Sequence, residues 1–191
     1  MAQAARVPVI NARTRHNHPC EILGDLAYVR KVRGTLDGLT VVFVGEATNL
    51  CHSWFEAATR LPIKVIQVCP HGFEANADFA SALVRDATGA ISSTKDLETS
   101  LCKADVVYTD CWPYRNGREE REQIAEAFGP YRITAAALEN TPKGCVFLPC
   151  PPVTRGEEVS DDAMTCSRTK VFEAKDYLLH AQNALLSKLL E

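Results

Sequence analysis

Apolar and polar positions fall into blocks along this chain, and the clearest block is Val41-Val42-Phe43-Val44. An unbroken β-branched and aromatic run of that length is the pattern of a strand covered on both faces. Gly45 permits a sharp exit, and Asn49–Arg60 then follows helical spacing, with Thr48 or Asn49 placed to cap its free N–H groups. Comparable runs predict strands at Ile63–Val68, Ala104–Thr109 and Cys145–Leu148, and a short one near Ala90–Ser92. Helical spacing predicts a helix that starts near Pro19, runs through Ile22, Leu23, Leu26, Val29 and Val32, and stops at Gly34. Further helices are predicted at Glu74–Arg85, with Phe79, Ala82 and Leu83 on one face, and at Lys95–Lys103 and Arg118–Phe128. Residues 130–142 read as a turn and a short helix, and an amphipathic helix runs from about Phe172 to Leu190 (172–190). Residues 1–16 read as a lead, with a small extended piece at Val7–Ile10, and residues 17–191 as one domain. Strands alternating with helices over short connections imply an α/β fold: an open, mostly parallel, Rossmann-like sheet with helices on both faces, in three αβα layers. Such a sheet carries its ligand crevice outside the C-terminal ends of its strands. The loops at Gly45–Ser53, Thr109–Asn116 and Pro149–Arg155 therefore converge on one edge, and the helix start at His18 joins them only if the fold brings it there.

Composition narrows the classes of partner. Hydrophobic residues make up 46% and charged residues 24% of the chain, as in ordinary soluble domains. A net charge of −3 gives no footprint for nucleic acid or for a membrane surface. No apolar run reaches the length of a membrane span, and MAQAARVPVI lacks the apolar core of a secretion signal, so a cytoplasmic location is expected. The eight cysteines form no CxxC pair, and several (Cys51, Cys69, Cys102, Cys145) sit beside apolar positions. They read as reduced, mostly buried thiols, with no zinc or other metal site expected.

Several residues at the strand ends carry chemistry. Asn49 serves either as a helix cap or as a ligand group, and the roles are compatible because a helix N-terminus attracts an anion such as a carboxylate. Asp110 is placed to hold a substrate amine, or to cap a helix or sit as a surface acid. Cys150, set between prolines on a stiff backbone, is either a functional thiol or a structural one. His18 is a catalyst, a cap or a surface residue. Trp112 and Tyr114 line a pocket or cover the sheet edge. A dinucleotide site is set aside: the turn after the first strand is Gly45-Glu46-Ala47-Thr48-Asn49 rather than GxGxxG, the second strand ends Val68-Cys69-Pro70 without an acid for a ribose, and Glu46 would repel a pyrophosphate.

These residues resemble the ornithine and aspartate carbamoyltransferases. His18-Pro19-Cys20-Glu21-Ile22-Leu23-Gly24-Asp25-Leu26 is similar to their HPxQ-x-L-x-D motif, and the run Gly45–Ser53 to the GDxxNxxxS segment of the ornithine enzymes. ADVVYTDCW, ending at Trp112, resembles ADxxYTDxW, and Phe147-Leu148-Pro149-Cys150-Pro151-Pro152 stands at the HCLP loop. Arg155–Val159 and His180-Ala181-Gln182 continue the likeness, which covers nearly the whole chain from about Val7 in the same order.

The resemblance implies transfer of a carbamoyl group from carbamoyl phosphate to an amine, with no cofactor. It implies that His18 bonds the carbamoyl oxygen and stabilises charge on it, that Glu21 stands where a glutamine contacts the carbamoyl group, and that Cys150 lies near the attacking amine. Asn49 and Asp110 would hold the amino-acid acceptor, with Trp112, Tyr114 and Pro151 around it. Arg115 either meets a substrate carboxylate or is an exposed loop residue. The match departs from the family at telling points. It covers only the amino-acid-binding half, without an STRT phosphate loop, and Thr14-Arg15 is no substitute. Glu21 in place of glutamine would repel a phosphorylated substrate unless protonated or paired. Pro113-Tyr114-Arg115-Asn116-Gly117 replaces the SMG loop, Pro149 replaces the histidine of HCLP, and Leu178 falls where an arginine is usual. The expected function is therefore a carbamoyltransferase domain of altered acceptor specificity, completed by a separate carbamoyl-phosphate-binding chain. The competing readings are a non-catalytic amino-acid-binding or interaction module and a fragment of a longer enzyme, the latter not separable from the first by sequence. The apolar positions of the last helix predict that it folds onto its own domain, pairs with a copy in a homo-oligomer, or docks a partner in a hetero-complex.

Overall fold

A computed structural model describes residues 2–85, 87–114 and 116–191. Its centre is the predicted run: β1 (Thr40–Val44) lies in the middle of a five-stranded parallel sheet with β2 (Lys64–Val68), β3 (Ala90–Thr94), β4 (Val106–Thr109) and β5 (Val146–Pro149), in the order β3-β2-β1-β4-β5. The chain builds outward from β1 to β3, then returns to lay β4 on the other side of β1. That reversal between β1 and β4 is the switch point at which an open parallel sheet forms its crevice. The register is flush at the C-terminal edge: Val44 pairs with Val68 and Thr109, and Thr109 with Pro149.

The pleat sorts successive residues of the strands between two apolar layers. Val41, Phe43, Val65, Val106, Tyr108 and Leu148 face a layer covered by α1 (Pro19–Arg33), α2 (Asn49–Arg60), α3 (Ala77–Val84) and α8 (Val171–Leu190). Val42, Val44, Val68, Val107 and Phe147 face the opposite layer, covered by α4 (Leu97–Leu101), α6 (Ala135–Glu139) and α7 (Asp161–Thr165). The three-layer α/β expectation holds. α5 (Arg118–Phe128) packs Phe128 and Ile124 against Trp112 and Phe73 in a separate apolar cluster.

Some local expectations are corrected. Leu23 and Val32 lie at helical spacing on α1 but are exposed, because α1 turns Ile22, Leu26 and Val29 inward and gives its adjoining side, with Gly24 and Asp25, to α8. Cys102 is exposed at the end of α4, whereas Cys20, Cys51, Cys69, Cys145 and Cys150 are buried. α7 has no periodic signature in the sequence because it is a single turn, started by the Ser160 hydroxyl accepting from Ala163 N–H. Val7–Ile10 forms no strand. Gly45 has φ +144°, a conformation that a side chain would disfavour, and it makes the turn out of β1 toward α2.

Candidate functional site

The site lies where the chain leaves β1, β4 and β5, and α1 is drawn to it. His18 immediately precedes α1, and its backbone N–H donates to Ser53 Oγ on α2 at 2.7 Å. Asn17 reaches Glu56 on the same helix at 3.0 and 3.1 Å. The fold thus brings the His18 segment onto the helix that starts the crevice.

Neither Thr48 nor Asn49 caps α2. Thr48 is the N-cap residue but makes no capping bond, and its hydroxyl is buried without a partner. Asn49 Nδ2 instead donates to Thr14 O at 2.7 Å, tying the lead to the helix start. The other candidates stand as follows. Asp110 Oδ1 accepts from the Cys111 N–H at 2.8 Å, an interaction within its own loop that leaves it short of a cation among the described residues. Cys150 is buried, while Pro151 is exposed and joined to Pro152 by a cis peptide bond. Trp112 is buried against Phe128 and, together with the exposed Tyr114, borders an outer cleft. Arg115 lies outside the described residues.

Beneath His18 sits a buried charge cluster only part of which the sequence reading singled out. Glu21 and Asp25 stand one turn apart on α1, and Lys175 of α8 reaches both: its Nζ lies 2.5 Å from Glu21 Oε1 and 3.0 Å from Asp25 Oδ1. Tyr108 on β4 donates its hydroxyl to Asp25 Oδ2 at 3.0 Å, and Cys150 Sγ lies 3.9 Å from Glu21 Oε1. The carboxylate expected to repel a phosphorylated substrate is therefore paired. A sequence signal did exist. Acids at positions 21 and 25 share the arc of α1 that carries Ile22, Leu26 and Val29, and two acids on a buried arc call for a buried cation. The partner lay 150 residues away, and spacing alone does not locate it.

Burial governs the protonation of this region. It pushes the Asp25 carboxyl up against the opposing pull of Lys175, and pushes the Cys150 thiol up to about 12, so Cys150 stays a neutral thiol. Burial would lower Lys175, but Asp25, Cys150 and Glu21 together hold it above its usual range. His18 is lowered by burial against the attraction of Glu21, whose Oε2 lies 3.9 Å from Nε2. Its imidazole is neutral at pH 7 and has one N–H to give. Cys20, Cys51, Cys69, Cys111 and Cys145 are also raised by burial, as is Tyr108. Groups that hold protons more tightly when folded stabilise the fold below their unfolded pKa and lose that contribution as pH rises through the folded value. Thermal unfolding followed by circular dichroism should therefore show a midpoint that falls steadily from about pH 9, the ordinary thiol value, upward. A midpoint that stays flat into the alkaline range would contradict this.

Among the described residues, the buried side-chain polar atoms without a hydrogen-bond partner are His18 Nδ1, Thr48 Oγ1, Thr109 Oγ1, Glu158 Oε2 and Trp54 Nε1. The first three stand at the start of α1, at the start of α2 and at the end of β4, around one switch point. Buried polar atoms are ordinarily paired, so orphans at this edge make it the candidate for a ligand crevice.

The parallel sheet, with its order reversed between β1 and β4 and helices on both faces, makes this an open α/β domain. Residues 37–189 match the family "Aspartate/ornithine carbamoyltransferase, Asp/Orn binding domain". The chain belongs to this family and constitutes its amino-acid-binding domain. It is 34% identical to the ornithine carbamoyltransferase of Syntrophus aciditrophicus (strain SB) over 189 residues, which is 99% of this chain and 63% of that protein. Against the ornithine carbamoyltransferase of Chromohalobacter salexigens it is 35% identical, over 99% of this chain and 61% of that one. The crystal structure of ornithine carbamoyltransferase from Gloeobacter violaceus superposes with a TM-score of 0.89 at 30% identity, covering all of this chain and 65% of that chain. The enzyme from Pyrococcus furiosus gives 0.89 at 32% identity, covering 97% and 60%. The chain thus spans less than two thirds of the length of these relatives.

Proposed function

We propose that this domain binds the amine acceptor of a carbamoyl transfer and that the crevice between the β1 and β4 loops is the acceptor site. The observation that carries the reading is the gathering of His18 Nδ1, Thr48 Oγ1 and Thr109 Oγ1, all buried and unpartnered, around Asn49 and Asp110. Asn49 and Asp110 hold the amino acid, Asp110 by charge pairing with an ammonium group. The neutral His18 imidazole gives an N–H to the carbamoyl oxygen and steadies the charge that grows there as the amine attacks. In that step the amine nitrogen bonds to the carbamoyl carbon, the bond from that carbon to the phosphate oxygen breaks with its electron pair, and the amine gives up a proton. Cys150, a neutral thiol, lines the site and is not the nucleophile. Glu21 is charge-compensated by Lys175, so it does not stand as a bare carboxylate facing the donor.

These 191 residues contain no STRT-type phosphate loop, so the donor site lies outside them, on a further segment or on a separate carbamoyl-phosphate-binding chain. α8 favours such a partner: it folds onto α1, yet Phe172, Leu179, Leu186, Leu189 and Leu190 remain exposed along it. A second reading, an amino-acid-binding module without turnover, draws support from the Glu21–Lys175 pair, which fills the place of a neutral amide, and from Leu178, whose backbone lies against Gly24.

The test mixes the chain with a carbamoyl-phosphate-binding domain carrying an STRT loop and follows ureido product colorimetrically. The chain alone is expected to give no product, because positioning of donor against acceptor supplies much of such a rate, and the mixture is expected to give product. Asn49→Ala and Asp110→Ala should each weaken amino-acid binding by about 1–3 kcal/mol in calorimetry, the usual loss when a hydrogen bond to a charged group is removed. Binding without product in the mixture favours the module. Binding unchanged in both variants places the site elsewhere.

A further inference from the structure

Beyond Asp110 the chain opens a cleft of about 510 Å³ between the loop after β4, helix α5 and the loop at Thr154–Glu157. That volume is within the range of small-molecule sites. Its floor is Trp112. Arg132 lies over the indole with its guanidinium carbon 5.5 Å from the ring centroid, and its Nε donates to Glu157 O at 2.7 Å. The two terminal amino groups of Arg132 then have no protein partner among the described residues. Arg121, on the α5 wall, has none for its guanidinium either. Neighbouring arginines are neutralised: Arg118 pairs with Glu122 at 2.9 Å and Arg155 with Asp161 at 3.1 Å. Two guanidinium groups with no carboxylate partner among the described residues therefore line one cleft with an aromatic wall, near a carboxylate, Asp110, that suits an amine.

We propose that the acceptor is an extended one, with its amine end in the crevice at Asp110 and a carboxylate tail in this cleft, held by Arg121 and by the terminal amino groups of Arg132 beside Trp112. The planar guanidinium fork matches a carboxylate in a bidentate fashion. Glu157 in the cleft wall disfavours a more highly charged phosphate. The inference rests on the acceptor-site reading for the amine end and on the cleft alone for the tail.

Trp112 provides a direct reporter, since the other tryptophan, Trp54, is fully buried. Glutarate serves as a probe of the tail site and inorganic phosphate as its competitor, each titrated into the intact chain and followed by tryptophan emission. Glutarate is expected to give a saturable change, and Arg121→Gln and Arg132→Gln are each expected to weaken it about tenfold or more, the loss of one charge-assisted pair. Far-ultraviolet circular dichroism checks that both surface variants remain folded. Asn49→Ala should leave the glutarate titration unchanged while weakening ornithine binding. An Asn49→Ala chain that binds ornithine normally would sink the acceptor-site reading and leave the cleft standing. The cleft proposal is overturned if wild type shows no saturable response to glutarate, if the double variant binds it as well as wild type, or if phosphate binds more tightly than glutarate.

Discussion

Replacing Lys175 by methionine is expected to destabilise the domain by about 3–5 kcal/mol, the usual loss when one partner of a buried ion pair is removed. Lys175 lies within ion-pair distance of Glu21 and Asp25, both buried on α1, and methionine would fill the stem volume while leaving two acids with no cation. Asp25 would keep only the Tyr108 hydroxyl at 3.0 Å. At a few degrees per kcal/mol for a domain of this size, the melting midpoint should fall by on the order of 10 °C. The loss belongs to the uncompensated charges rather than to the lysine as such. Adding Glu21→Gln and Asp25→Asn to Lys175→Met should therefore restore most of the stability, because a neutral amide does not need a buried cation. A single Lys175→Met variant that melts like wild type would show that the cluster is solvated and that Glu21 faces the crevice as a free carboxylate.

Gly24→Ala should cost about 1–3 kcal/mol, the range for overpacking a close contact. A Cβ built on Gly24 lies 2.8 Å from Leu178 Cα and 2.9 Å from Leu178 N, so α1 and α8 touch backbone to backbone at this point. The obstacle is main chain and cannot rotate away. The alanine must push α8 off α1, which lengthens the Lys175 contacts to Glu21 and Asp25 on the same pair of helices. Urea denaturation measures the cost. Coupling between Gly24→Ala and Lys175→Met in a double-mutant cycle would show that both act on α8 docking. Additive losses would separate them.

The sheet was legible because its signals are local. Val41–Val44 has no polar interruption, the bounds of β1, α2 and α5 follow from their apolar spacing, and the parallel order follows from alternation. The convergence of the β1, β4 and β5 loops came with it. What stayed hidden was long-range. Asn49 had the position of a cap, but the backbone of Thr14 claims its amide. Glu21 looked like an unshielded charge because Lys175 comes from the far end of the chain. Leu23 and Val32 obeyed the helical period yet face solvent, since α8 selected a different arc of α1 than apolar spacing alone would choose. The arginine-lined cleft was equally illegible: Arg121 and Arg132 stand in different elements, and only the fold shows that Arg118 and Arg155 have carboxylate partners while these two have none among the described residues.

The proposed acceptor site is one crevice, at the reversal of strand order between β1 and β4. Titration of isotopically labelled chain with ornithine, followed by amide chemical shifts, tests it most directly. Saturable shifts are expected at His18 and at residues 45–53, 109–114 and 149–155, with α3, β3 and the end of α8 unmoved. Shifts centred on β3 or α8, or none at millimolar ornithine, would contradict it.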